Sequence, residues 1–431
     1  MERHRRALDR VGWTRAGLIV GVLIAAAMLA TAAIARVAGG PSDRVIALPG
    51  RFPAAIALDD IHHRLVVLDE SGAVSLLNTD TGTLAHVIPA GAWRPAFSGG
   101  SGPALAVDPG AGRAIVALSS QPRQSTSAPP GAARVLDTVT GRVVASPHVG
   151  VGDTAIVAVP GTARAFVANL FAQTVTVLST RDGRVLGAVA VAGQPTTLGV
   201  DGPAGVVAVG GNSFGATLDA RTGRVLHTQL LDSLSVLVVD DRRHRALTYS
   251  QSGQISALDT RTGALVGQGL LGQPGPTAGD DPATGMVFFG PNAASGPTQL
   301  VDARTGRLVR ALALPGYPIA FAADARTGHM LVLLSNARRR APGPWDWLPA
   351  PIRRLLPALS TPTGPASAIA ILDGRTGGLR QQIDLPIDGS VAVAFALDAR
   401  AHRLYVTRTW WGPPTSRPGR GSDMLILDTP P

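Results

Sequence analysis

The chain has 431 residues, no cysteine, and a formal charge of +10. Its basic side chains are all arginine, since the sequence contains no lysine. The missing cysteine excludes disulfides, thiolate metal sites, c-type haem attachment and a lipoprotein anchor. A basic balance suits nucleic acid, anionic lipid or acidic glycan. No nucleic-acid motif accompanies the charge, so nucleic acid is not an expected partner.

Residues Gly17 to Ala35 (GLIVGVLIAAAMLATAAIA) carry no charge. At about 1.5 Å per residue they reach roughly 28 Å, near the hydrocarbon thickness of a bilayer. Arg3, Arg5, Arg6, Arg10 and Arg15 precede them. That flank predicts a cytoplasmic tail (1–16), a single transmembrane anchor (17–35), a linker (36–42) and an extracytoplasmic domain (43–431) at the cell membrane. The alternative for the apolar run is a cleaved signal peptide, with small residues near Ala30 to Ala35 as the cleavage region.

Beyond the linker one phrase recurs: LLNTDTGTL at 76–84, VLDTVTGRV at 135–143, VLSTRDGRV at 177–185, TLDARTGRV at 217–225, ALDTRTGAL at 257–265, LVDARTGRL at 300–308 and ILDGRTGGL at 371–379. A further copy begins at Ile426. The period near 40 residues suits a four-stranded β-propeller blade. In five of the phrases an aspartate caps its own turn, and in each a glycine takes the positive φ of a tight hairpin between the third and fourth strands, C and D. Asp137, Asp219, Asp259, Asp302 and Asp373 are assigned this task. Asp59, Asp108, Asp201, Asp240, Asp280, Asp324 and Asp398 are assigned the turns between strands A and B. Eight A–B–C units begin near Ala54, Ala104, Thr154, Thr196, Ser235, Pro276, Ile319 and Val391. The eighth lacks its own strand D, and Arg44 to Leu48 (RVIAL) is the spare strand that completes it. The expectation is an all-β, eight-bladed propeller closed by its N-terminal strand; seven blades is the alternative.

The stretch ARAFVANLFAQTVTVLSTRDGRVLGAVAVAGQP at 163–195 resembles a repeat of the YVTN/YncE-like propellers, and RLYVT at 403–407 carries the same signature. The LDxxTGxxL phrase is also similar to repeats of quinoprotein dehydrogenases. In those enzymes most repeats hold a tryptophan that locks neighbouring blades. No tryptophan stands in the corresponding strands here, so this second likeness implies fold more than activity.

The connections on the top face, B–C and D–A, break the pattern. Insertions fall at 89–103, 119–133, 337–366 and 410–422, in blades 7, 8, 1 and 2 in ring order. They gather Trp93, Trp345, Trp347, Trp410 and Trp411, with Arg94, Arg338, Arg339 and Arg340. Aromatic and arginine side chains are what binding surfaces use. Rings stack on sugars, and guanidinium groups fork onto carboxylate or phosphate. The expected ligand is an anionic glycan or an envelope protein; the alternative is that the loops fold on one another as a small private core. A second candidate surface is the channel mouth, where strand A begins in each blade: Arg51, Asp153, Gln194, Asp232, Gln273, Tyr317 and Asp388. The alternative there is ordinary polar lining with water.

No histidine falls in the top loops, and no nucleophile elbow, zinc-binding helix or phosphate loop appears. The reading leans away from an enzyme and assigns no catalytic residue, metal or cofactor. The alternative is a quinoprotein-like oxidoreductase working at the channel mouth.

Overall fold

The computed structural model describes residues 44–429 apart from 51, 90–93, 96–104, 120–130, 232–233, 251, 273, 292–295, 336–366, 387–389 and 411–420. The apolar run at 17–35 lies outside the described residues. Among the described residues no helix is long and apolar enough to cross a membrane.

The described elements are β-strands, gathered into eight sheets. Six sheets have strands A to D in chain order, each antiparallel to the next. The inner strands A of successive blades run Pro53–Asp59, Leu105–Asp108, Asp153–Val159, Pro195–Asp201, Leu234–Asp240, Pro274–Asp281, Tyr317–Asp324 and Ser390–Asp398. Adjacent inner strands touch around the ring, the last returning to the first. The chain is an eight-bladed β-propeller.

The eighth sheet closes the ring. Arg44–Leu48 pairs antiparallel with Ser422–Asp428, from Arg44 opposite Ile426 to Leu48 opposite Ser422. Among the described residues, the strands of the ring and the buried clusters between blades lie within 44–428. Pairing the two ends removes an exposed sheet edge.

Burial follows strand position. Strands B and C are covered on both faces by neighbouring blades, so RLVVLD (64–69) and VSLLN (74–78) are buried almost throughout. Outer strands are largely exposed, as in VLGAVA (185–190), which reads exposed, exposed, half-buried, exposed, half-buried, exposed. The core is divided among the blade interfaces. Between blades 3 and 4, Phe166, Val175, Val207 and Phe214 form one cluster. Burying a phenylalanine there contributes roughly 1.5–3 kcal/mol.

The repeat turns are built as expected. Asp219 Oδ1 accepts the Arg221 and Thr222 amides at 3.0 and 2.7 Å, and Gly223 takes φ +77°. Hydrogen bonding to Thr222 holds the Asp219 carboxyl below its ordinary range. The last residue of strand A also ties one blade to the next. Asp59 accepts the Thr138 hydroxyl and Asp108 that of Thr180, both at 2.6 Å, and Asp201 accepts that of Thr260. All six residues are buried.

Three positions differ from the sequence expectation. In blade 6 the turn aspartate is Asp281: its Oδ1 accepts the Ala283 amide at 3.0 Å and its Oδ2 the Thr284 hydroxyl at 2.8 Å. The bulge between Pro274 and Ala278 admits two extra residues, where other inner strands admit one, and this shifts the following residues along the turn. In blade 2 the inner strand is divided, because Arg94–Pro95 and Leu105–Asp108 both pair with Arg113–Ser119. Trp410 is the last residue of strand B in blade 8, opposite Ser390, rather than a loop residue.

Candidate functional site

The strand ends that bear the irregular connections are neighbours on the top face. They are Ile88 and Arg94, Ser119 and Ala132, Ser335 and Ala368, and Trp410 and Ser422. Blades 7, 8, 1 and 2 adjoin in the ring, so these ends form one arc. Trp93, Arg338, Arg339, Arg340, Trp345, Trp347 and Trp411 lie outside the described residues. Arg94 is described in its backbone alone, paired opposite Ser119.

The base of the arc is held by two buried arginines. Arg134, on strand C of blade 2, donates from Nη1 to the Pro89 carbonyl at 2.8 Å, where the connection from blade 1 departs. Burial lowers the affinity of its guanidinium for the proton. Arg408, on strand B of blade 8, forks onto Asp423, Nε to Oδ1 at 2.9 Å and Nη2 to Oδ2 at 2.8 Å. Both partners are buried. The Trp410 ring lies with its centroid 5.7 Å from the Arg408 guanidinium carbon, within cation–π range. Arg408 is therefore committed internally, and what it presents at the arc is an anchored Trp410. Beside this unit the Ser422 hydroxyl donates to the Gly50 carbonyl, tying blade 8 to the start of blade 1.

Sequence reasoning did not single out Arg134 or Asp423. The available signal was a charged residue within an otherwise core-like strand, as in AARVLD and SDMLILD. Such a residue survives burial only when paired.

At the channel mouth the structure places three of the seven expected residues. Asp153 opens strand A of blade 3, opposite Asn169. Gln194 is half-buried and spent within its own blade: its Oε1 accepts the Asn212 side-chain amide at 2.8 Å, and its carbonyl accepts the Asn212 backbone amide at 3.0 Å. Tyr317 opens strand A of blade 7 opposite Ser335, half-buried. Arg51, Asp232, Gln273 and Asp388 lie outside the described residues.

The histidines nearest a carboxylate belong to the opposite face. His62 Nδ1 meets its own blade's Asp59 at 3.1 Å. His244 Nδ1 meets Asp201 of the preceding blade at 2.9 Å, and this pair joins blades. Among the described residues no group of three or more histidine, aspartate or glutamate side chains is arranged to hold a metal ion.

No protein-family model matches the chain, and no curated protein matches it. Solved structures do. BamB from Moraxella catarrhalis aligns with a TM-score of 0.55 at 16% identity, covering 89% of this chain and 98% of that one. The dihydro-heme d1 dehydrogenase NirN in complex with DHE aligns with a TM-score of 0.60 at 15% identity, covering 89% and 75%. At these identities the likeness is one of fold.

Proposed function

We propose that this chain is an extracytoplasmic binding propeller, tethered to the cell membrane through residues 17–35, whose top-face arc takes an anionic glycan. An envelope protein presenting similar groups is the other partner class the arc suits. The observation that carries this reading is a segregation of variability. Turns on one face are short, uniform and self-capped, whereas the long tryptophan- and arginine-bearing connections leave from adjacent strand ends on the other. Function on a repeat scaffold concentrates where loops depart from the repeat. The anchored Trp410 supports the reading, because a ring held by a buried ion pair loses little entropy on stacking. The repeat phrase supports a place among YVTN/YncE-like propellers.

The test is a thermal-shift panel on residues 37–431 with cell-wall glycan fragments, anionic polymers, and pyrroloquinoline quinone with calcium. A ligand at a hundred times its Kd adds about 2.7 kcal/mol of stability. Stabilisation by glycan or polyanion, abolished in the Trp410→Ala/Trp411→Ala variant, is the expected result. Stabilisation by quinone and calcium overturns it in favour of a quinoprotein-like oxidoreductase. Silence from the whole panel points to a protein partner, to be sought by pull-down from membranes.

A further inference from the structure

The outer rim of the turn face repeats a second feature. Just after each C–D turn, strand D carries a bulge that leaves one residue without a cross-strand partner. In blade 3 Val185 faces Leu178 and Gly187 faces Val177, so Leu186 is the extra residue. By the same count it is Val266 in blade 5 and Val309 in blade 6. In blade 2 it is Val144, between Val143 opposite Leu136 and Ala145 opposite Val135. A bulge re-aims the side chains around it. In blades 2, 3, 5 and 6 the extra residue is an exposed aliphatic, Val144 at 38%, Leu186 at 36%, Val266 at 43% and Val309 at 52%, whereas in blades 1, 4 and 7 it is Ala85, half-buried Leu226 and Arg380. Beside Leu186, Val266 and Val309 stand Val185, Leu265 and Leu308, exposed as well. Water-facing aliphatics recurring at one height around a rim form a band rather than scattered exceptions.

The same rim is cationic. Arg184, Arg224 and Arg307 follow the turn glycines of their blades, Arg221, Arg261 and Arg375 stand two positions before them, and all six are exposed. The aspartates beside them are turned inward as caps: Asp259 and Asp373 accept turn amides as Asp219 does. Carboxylates thus hold the turns while guanidinium groups face outward. Asp80 and Asp182 are the opposing exposed acids of these turns among the described residues.

The chain enters the propeller from this side. Arg44 is paired opposite Ile426, close to the turn end of strand C, and its Nη1 donates to the carbonyl of Thr81 in the C–D turn of blade 1 at 3.3 Å. Eight residues, 36–43, separate it from the apolar run, and they span at most about 28 Å.

We propose that the turn face docks on an anionic bilayer surface, its rim aliphatics entering the headgroup region while the turn arginines meet lipid phosphates. This rests on the membrane tether of the proposed function and not on its ligand. A peripheral surface of this kind combines apolar burial with attraction to anionic lipid. It holds the turn face down and leaves the tryptophan arc directed away from the membrane.

The test is co-sedimentation of residues 37–431 with vesicles of phosphatidylcholine alone and with about a third phosphatidylglycerol. Binding to the anionic vesicles alone, weakened by salt, is expected. Replacing Arg184, Arg224, Arg261 and Arg307 by Gln lowers the partition coefficient about fivefold per arginine, the equivalent of ~1 kcal/mol each. Leu186→Ser/Val266→Ser/Val309→Ser lowers it further. Arg338→Gln/Arg339→Gln/Arg340→Gln leaves it unchanged. Because the four turn arginines and the three rim aliphatics are exposed, circular dichroism of those variants should match the parent. No binding to anionic vesicles, equal binding to both compositions, or loss of binding in the top-face variant alone overturns the proposal. Each of these results leaves the glycan test of the top face to stand or fall separately.

Discussion

Val159 of blade 3 and Ala220 of blade 4 share one buried cluster, and they occupy the two positions where three other interfaces pair an aspartate with a threonine. Val159 ends its inner strand as Asp59, Asp108 and Asp201 end theirs. Ala220 follows its strand C as Thr138, Thr180 and Thr260 follow theirs. Here the acceptor and the donor are lost together. A lone carboxylate or a lone hydroxyl buried at this point would be desolvated without compensation.

The interface should therefore accept the polar pair when both halves are installed. Val159→Asp alone is expected to destabilise by about 2–4 kcal/mol, since it buries an unpaired carboxylate. Ala220→Thr alone should lose about 1–2 kcal/mol. The double variant should recover part of both losses, with a coupling energy of about 1–3 kcal/mol in urea denaturation. Strict additivity of the two single effects would show that this contact does not couple the blades.

A buried ion pair behaves differently from an exposed one. Asp423→Ala leaves the Arg408 guanidinium buried without its fork partner and should destabilise by about 3–5 kcal/mol. Arg408→Met/Asp423→Leu removes both charges at similar volume and should restore most of that stability. Thermal denaturation of the three proteins separates a structural pair from one that also orients Trp410. If it does orient Trp410, the apolar double variant keeps its melting temperature but loses ligand-induced stabilisation.

Asp280 predicts a pH dependence. Burial, reinforced by the negative charges of Asp240, Asp241 and Asp281, pushes its carboxyl up to about 7. Arg243, the nearby cation, is engaged with Asp240 at 3.0 Å and with the Pro282 carbonyl at 2.9 Å. A raised carboxyl keeps its proton in the folded state after the unfolded chain has released its own. Its contribution to stability therefore falls as pH rises from about 4 to about 7. Allowing for its partial exposure, the loss is on the order of 2 kcal/mol. Asp280→Asn should be more stable than the parent at pH 8 and indistinguishable from it near pH 4. A parallel stability–pH curve for the two proteins would remove Asp280 as the cause.

Removing residues through Leu48 takes away the closing strand and exposes the edge of Ser422–Asp428. The truncated protein should melt lower and self-associate, because an unpaired edge templates pairing with another chain. Size-exclusion chromatography beside the 37–431 protein reads this directly; an equally monomeric and stable truncation would show that blade 8 holds with three strands.

Much of this fold is legible in the sequence because the repeat forces the same local solution many times. The TG turn needs a capping aspartate and a positive-φ glycine, so the phrase announces both the hairpin and the blade. RVIAL was legible as the closing strand because the eighth unit lacked a fourth strand and this segment matched one. Other features depend on contacts between repeats. The threonine that follows strand C looks like part of the turn until Thr138 is seen bonded to Asp59, 79 residues away. The choice of Asp281 over Asp280 depends on the bulge in one inner strand. Arg134 and Arg408 lie close to the irregular connections in sequence, and only their partners Pro89 and Asp423 show that they are spent within the scaffold. Of the tryptophans the sequence groups on the top face, Trp410 alone falls among the described residues, and strand pairing opposite Ser390 fixes it.

The strand synthesised first among the described elements, Arg44–Leu48, finds its partner in the one synthesised last, Ser422–Asp428. During synthesis seven blades have their fourth strand near at hand, while the opening segment waits for nearly the whole chain to arrive. That single long-range pairing carries the loop-closure entropy of the ring. It also makes closure a test of completeness. A chain that stops before Ser422 leaves both Arg44–Leu48 and the edge of Arg403–Trp410 unpaired, and the arrival of Ser422–Asp428 covers both in one step.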